Sequence, residues 1–257
     1  GRQRVENYAL APMGVEEFVE LVSAEQPAAP DYFLYAARTN RDGHELLETA
    51  ELPDVDLDRA LELAAEGAVL LDVRSSVDFA TGHLVGSVNV GLDGRFAEFV
   101  GMVVGPTDPV VVITSDADQA AEAALRMARI GFDRAIAKVV GIEPQLAAQP
   151  DLARSASRLT ARALADRRGE LPDLCIVDVR NDGERALDSI EGTVHIPLAQ
   201  LPRRVGELDL SRPIVVHCAG GYRSSIAASW LRSRGATDVS DLLGGIAAWR
   251  AAEQPVG

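Results

Sequence analysis

Lysine is almost absent from this chain: Lys138 is the one lysine among 25 basic residues, the rest being arginine. Positive charge is also outweighed, because 39 acidic residues leave a formal net charge of −14. A chain this acidic gains no counterion-release energy from nucleic acid and is repelled by anionic lipid, so neither is an expected partner. Cysteine is scarce. Cys175 and Cys218 are the only two, too few for a disulfide framework that a chain this long does not need. No apolar run approaches the ~20 residues of a membrane-spanning helix. Histidine occurs four times, at scattered positions 44, 83, 195 and 217, and the expectation is that the chain holds no metal and no cofactor. With 47% hydrophobic and 25% charged residues, the composition is that of a soluble globular protein. A cytoplasmic setting is expected, where reducing conditions would suit a free thiol.

What the sequence does contain is an internal repeat. Residues 68–74 read Ala-Val-Leu-Leu-Asp-Val-Arg and residues 175–180 read Cys-Ile-Val-Asp-Val-Arg. The β-branched run at 110–114 matches residues 213–217, and Gly131 and Gly141 match Gly235 and Gly245. A period of about one hundred residues indicates duplicated domains rather than a solenoid. In each copy short apolar runs alternate with helical patterns at 57–66, 117–129, 225–234 and 246–253. Apolar runs of four to six residues suit strands buried on both faces, and strand-helix alternation predicts an α/β fold with parallel sheets. The expected division is a tail at 1–50, a first copy at 51–150 and a second at 151–257, with a linker at 147–156 broken at Gln149-Pro150-Asp151. The tail carries an amphipathic helical pattern at 14–21, a break at 27–30, and an aromatic cluster of Tyr32, Phe33 and Tyr35. That cluster is expected to cover the first copy or to lie against a further domain.

Residues 214–225 read Ile-Val-Val-His-Cys-Ala-Gly-Gly-Tyr-Arg-Ser-Ser. The pattern predicts a strand ending at Cys218, a loop containing Gly220 and Gly221, and a helix beginning near Ser224 or Ser225. Glycines let successive amides turn inward as a nest of donors. The helix N-terminus adds partial positive charge and Arg223 a full one. Together these favour a thiolate, so Cys218 is the candidate nucleophile, with a lowered pKa. Ala219, Gly220, Gly221, Tyr222, Arg223 and Ser224 form the candidate substrate-binding loop. The competing reading is a structural cysteine in a tight turn, which is the assignment made for Cys175, set in a strand run with no cation nearby. Asp178 and Arg180 recur as Asp72 and Arg74. They read as a buried ion pair at a strand end, supporting the loop rather than reacting. His217 should point to the opposite face of its strand.

Val177-Asp178-Val179-Arg180, the loop Cys218 to Ser224, and Leu243-Gly244-Gly245-Ile246-Ala247-Ala248-Trp249 resemble the rhodanese superfamily over residues 155–257. The resemblance implies a sulfurtransferase whose cysteine takes sulfane sulfur from thiosulfate or a persulfide, carries it as a persulfide, and passes it to a thiol or cyanide. The six-residue loop from Cys218 to Arg223 matches the sulfur-handling branch; the related phosphatases have a loop one residue longer. Asp188-Ser189 stands where the family usually has Gly-His. The first copy resembles the family in Leu71-Asp72-Val73-Arg74 and residues 82–87. Its loop places Ser115 opposite Cys218, followed by Asp116 and Asp118, so it is expected to be inactive. In the tail at 1–50, Gly1-Arg2-Gln3-Arg4 with Glu6-Asn7-Tyr8-Ala9-Leu10, then Glu17-Phe18-Val19 and Pro30-Asp31-Tyr32-Phe33, resemble the C-terminal tail of metallo-β-lactamase-fold proteins of the persulfide dioxygenase type, some of which are fused to rhodanese domains. This implies a metallo-β-lactamase-fold domain as a further partner. Two alternatives stay open: a non-catalytic rhodanese-like docking module of such a protein, and a phosphatase using the same loop.

Overall fold

The structure is a computed structural model describing residue 7, residues 11–23, residue 30, residues 32–43 and residues 51–257. The tail motifs at residues 1–6 and 8–10, the break at 27–29, Asp31 and His44 lie outside the described residues.

The chain is α/β, with two parallel sheets flanked by helices. The first copy supplies β1 (Val69–Asp72), β2 (His83–Leu84), β3 (Val88–Asn89), β4 (Val110–Thr114) and β5 (Ala135–Val140). The order β3-β1-β4-β5 is parallel throughout. After β6 (Ala153–Arg154), the second copy supplies β7 (Ser157–Leu159), β8 (Cys175–Asp178), β9 (Val194–His195), β10 (Ile214–His217) and β11 (Val239–Leu242). These form the parallel order β7-β11-β10-β8-β9. The central strands β4 and β10 are buried along their whole length. That is why their sequences are continuous β-branched runs rather than alternating ones.

One apolar core joins the two copies. Phe96, Phe99, Val103 and Met127 of the first pack in the same cluster as Val177, Cys218, Trp230 and Leu231 of the second. The helix Tyr222–Ser233 is buried from Ser224 to Leu231, which accounts for its lack of a polar stripe. Its polar groups are satisfied across the interface: Trp230 Nε1 donates to the Val103 carbonyl at 3.1 Å, and the Asn89 amide donates to Ser229 Oγ at 2.9 Å. The outer faces of the two sheets have separate cores, around Leu57 and Ile113 and around Leu164 and Trp249.

One expectation needs correction. The helix after Cys218 begins at Tyr222, earlier than the serines, because Gly221 (φ 102°) turns the chain immediately before it. The stretch expected as a linker has structure of its own. The helix Ile142–Ala148 enters it, Pro150–Leu152 forms a 3-10 turn, and β6 pairs antiparallel with β2. In the helix Tyr32–Asp42, Tyr32 is buried edge-on to Phe132 at 5.9 Å and Tyr35 lies 6.3 Å from the same ring. Tyr32 covers Gly101, where a Cβ would come within 2.3 Å of the ring. The aromatic cluster therefore covers the first copy, although Phe33 stays outside. The helix Val15–Ser23 leaves Val15, Phe18, Val19 and Leu21 exposed. Among the described residues no helix is long and apolar enough to cross a membrane.

Candidate active site

Cys218 follows β10 directly and is 1% exposed. Its Sγ accepts the Gly221 amide at 3.1 Å, and the thiol reaches Ser224 Oγ at 3.5 Å. Ser224 in turn donates to the Gly221 carbonyl at 3.1 Å, so the sulfur is held at the start of the helix by its own loop. A second loop backs this one. The Ile246 amide donates to the Cys218 carbonyl at 2.8 Å and the Ala247 amide to the Ala219 carbonyl at 3.2 Å. Only glycine permits that approach: a Cβ on Gly245 would stand 2.3 Å from the Cys218 carbonyl oxygen. Gly245 is thus a packing requirement of the cysteine loop, while a Cβ on Gly244 would meet Ala248 of the following helix at 2.7 Å.

Arg223 departs from expectation. Its Nη1 and Nη2 donate to the two carboxylate oxygens of Glu184, each at 2.6 Å. The guanidinium is therefore a paired cation rather than a free one. Arg223 also holds the Glu184 carboxyl below its ordinary range. Sequence reasoning missed Glu184. Asn181-x-x-Glu184 is legible as a capping box for the helix Asp182–Leu187, but its reach to Arg223 is a tertiary fact.

Asp178 and Arg180 form the buried strand-end pair expected. Arg180 Nη2 lies 2.7 Å from Asp178 Oδ2, and Nη1 lies 2.8 Å from Asp188 Oδ1. Burial pushes Asp178 upward, but hydrogen bonds from Arg180 and the charge interaction with His217 outweigh it and leave the carboxyl below its ordinary value. Asp188, at the position that departs from the family pattern, also pairs with Arg250. His217 Nε2 lies 3.7 Å from Asp178 Oδ2. Burial lowers its pKa to about 4, and neither ring nitrogen has a hydrogen-bond partner. Cys175 is half-buried at the start of β8, and burial pushes its thiol upward.

The cavity above Cys218 measures about 390 Å³ and is lined by both copies: Cys218, Gly220, Tyr222 and Arg223 from the second, and Asp93, Gly94, Arg95 and Phe99 from the first. The Tyr222 hydroxyl donates to the carbonyls of Gly91 (2.6 Å) and Asp93 (3.1 Å), and its ring lies 5.2 Å from that of Phe99. No sequence signal pointed to residues 91–99 as a wall of the site.

The rhodanese-like domain model matches residues 56–141 and 160–252. The chain belongs to the rhodanese-like domain family. A sulfurtransferase of Allochromatium vinosum is 31% identical over 93 residues, which is 36% of this chain and 87% of the relative. The thiosulfate sulfurtransferase GlpE of Stutzerimonas stutzeri is 36% identical over 75 residues, 29% of this chain and 69% of the relative. Among solved structures, the rhodanese-like domain of the Anabaena protein Alr3790 aligns with 34% identity and a TM-score of 0.37, covering 39% of this chain and 77% of that one. This rhodanese-like chain therefore falls within a superfamily of sulfurtransferases.

Strand register corrects the pairing of the two rhodanese-like copies. In the second, Asp178 lies opposite His217 and Cys218 follows; in the first, Asp72 lies opposite Ile113 and Thr114 follows. Thr114, not Ser115, occupies the position of Cys218. The sequence match was shifted by one because Pro213 stands before β10 rather than in it. Gln119 then stands where Arg223 does, and its Oε1 accepts the Thr114 hydroxyl at 2.6 Å. Ser115 donates to Glu143 at 2.6 Å, and Glu143 also takes Arg74 Nη1 at 3.0 Å. The first loop thus has neither a thiol nor an arginine.

Proposed function

We propose that this chain is a sulfurtransferase in which Cys218 carries the sulfur. The observation that carries the reading is the position of Sγ: at a strand end, beneath a cavity, accepting an inward-turned glycine amide at a helix start. That setting stabilises a sulfur anion before and after transfer. With thiosulfate, the Cys218 thiolate attacks the outer sulfur, the S–S bond of the donor breaks, and sulfite leaves with the electron pair. The protein is left with a Cys218 persulfide anion. An acceptor thiolate or cyanide then attacks the terminal sulfur and regenerates the Cys218 thiolate. Ala219, Gly220, Gly221 and Tyr222 shape the loop, Ser224 steadies the sulfur, and Asp178 with Arg180 fixes the adjoining strand end. No cofactor enters this scheme. The six-residue loop favours sulfur over the larger phosphate.

We read the first copy as the inactive half that completes the cavity wall. The tail's sequence resemblance supports a metallo-β-lactamase-fold domain as a partner in a longer cytoplasmic protein. The central test is intact mass after incubation with thiosulfate and, separately, with an alkyl persulfide. The parent chain should gain one sulfur atom and Cys218→Ser none, while Cys175→Ser should still gain it. Uptake by Cys218→Ser would overturn the reading.

A further inference from the structure

Two arginines border the cavity above Cys218, and both are paired. Arg223 gives both terminal nitrogens to Glu184, and Arg95 gives Nε and Nη2 to Glu98. The other charged side chain in the lining is Asp93, and Phe99, Tyr222, Gly94 and Gly220 make up most of the remainder. Arg223 is thus neutralised within the wall by its carboxylate, while Arg95, 70% exposed, is held only by a surface pair. Glu184 is anchored independently of Arg223, since its Oε2 also accepts the Asn181 amide at 3.0 Å. The carboxylate is therefore fixed in place as a competitor for the guanidinium.

We infer that Glu184 is a specificity-determining positioning residue, which turns this site away from dianionic oxyanion donors and toward organic persulfides. The inference rests on the sulfur-transfer reading of Cys218. In the favoured step the Cys218 thiolate attacks the outer sulfur of RSSH. A bond forms between Sγ and that sulfur, the donor's S–S bond breaks with its electron pair leaving on RS, and the proton of the outer sulfur passes to RS, giving the Cys218 persulfide anion and RSH. Nothing in this step needs a cation at the departing end, and the aromatic wall of Phe99 and Tyr222 suits an apolar R group. The same attack on thiosulfate expels sulfite, whose charge would have to share Arg223 with the carboxylate of Glu184 that already neutralises it. Charge-assisted bidentate pairs are the strong class of hydrogen bonds, so that competition is costly.

The test is Glu184→Gln in the full chain, since glutamine preserves the side-chain size and the capping-box acceptor while removing the charge. Steady-state kinetics would use thiosulfate and 2-hydroxyethyl persulfide as donors, with cyanide as the common acceptor. The variant should lower KM for thiosulfate by about tenfold or more, the equivalent of ~1.4 kcal/mol, and shift the persulfide KM far less. Equal changes for both donors, or no change for either, would overturn the inference. On the unmodified protein, a large excess of sulfate should fail to compete with the persulfide, and competitive inhibition would count against the idea even if the variant did not fold. Cys218→Ser assayed alongside keeps the two readings apart: turnover in that variant sinks the sulfur-transfer reading itself.

Discussion

Gly245→Ala offers the sharpest structural test, because its penalty can be worked from the backbone. Gly245 has φ 57°, and an added Cβ would lie 2.3 Å from the Cys218 carbonyl oxygen and 2.7 Å from the carbonyl carbon and oxygen of Ala219. None of these is the end of a flexible side chain, so one loop must move. The left-handed conformation costs a non-glycine residue roughly 1–2 kcal/mol, and overpacking typically adds about 1–3 kcal/mol. Separating the loops also endangers the bonds from the Ile246 and Ala247 amides, each worth about 1 kcal/mol. The expected loss is roughly 3–6 kcal/mol, a large part of the ~5–15 kcal/mol that holds a domain folded. Urea unfolding followed by fluorescence reads it directly, since both tryptophans, Trp230 and Trp249, lie in this copy. Gly220→Ala is the control: nothing lies within 4 Å of its Cβ position, and a change of about 0.5 kcal/mol or less is expected. Sulfur uptake by any folded Gly245→Ala protein should also fall, because the displaced carbonyl belongs to Cys218. Equal stability of the two variants would refute the packing argument.

Thr114→Cys in a Cys218→Ser background should restore a thiol to the first copy without activity, because Gln119 replaces the arginine and Asp116 and Asp118 crowd the loop; measurable cyanide turnover would show that the surroundings of Cys218 matter less than argued. Tyr222→Phe removes the hydroxyl that bonds the Gly91 and Asp93 carbonyls and should cost about 1–3 kcal/mol, read as a lower urea midpoint; an unchanged midpoint would mean that this contact does not tie the copies together. His217 predicts a pH dependence. Its pKa falls from 6.5 in the unfolded chain to about 4 in the folded one, so the unfolded chain takes up the proton first as pH drops. Its contribution is fully present above pH 6.5, is lost between there and about pH 4, and amounts to about 3 kcal/mol. His217→Gln should flatten the stability curve across that window, and an identical slope in the variant would remove His217 as its source.

The sequence by itself determined the elements whose signals are local. The β-branched runs of β4 and β10 suit strands buried on both faces, and with their alternation with helical patterns and their repetition they made the α/β fold and the duplication legible without coordinates. The candidate nucleophile was legible too, since Cys218, Gly221 and the helix that follows are contiguous. The ion pair of Asp178 and Arg180 could be read from two residues repeated as Asp72 and Arg74. Tertiary structure decided what depends on distant segments meeting. Glu184 lies 39 positions from Arg223, and its capping role gave no sign that its carboxylate would cross to that guanidinium. The cavity wall of Asp93, Gly94, Arg95 and Phe99 comes from the other copy, through a shared core that no single periodicity reveals. The equivalence of Thr114 and Cys218 also had to come from register. Two β-branched runs match almost equally well at neighbouring offsets, and only the hydrogen-bonded partners Asp72 and Asp178 fix which residue ends each strand.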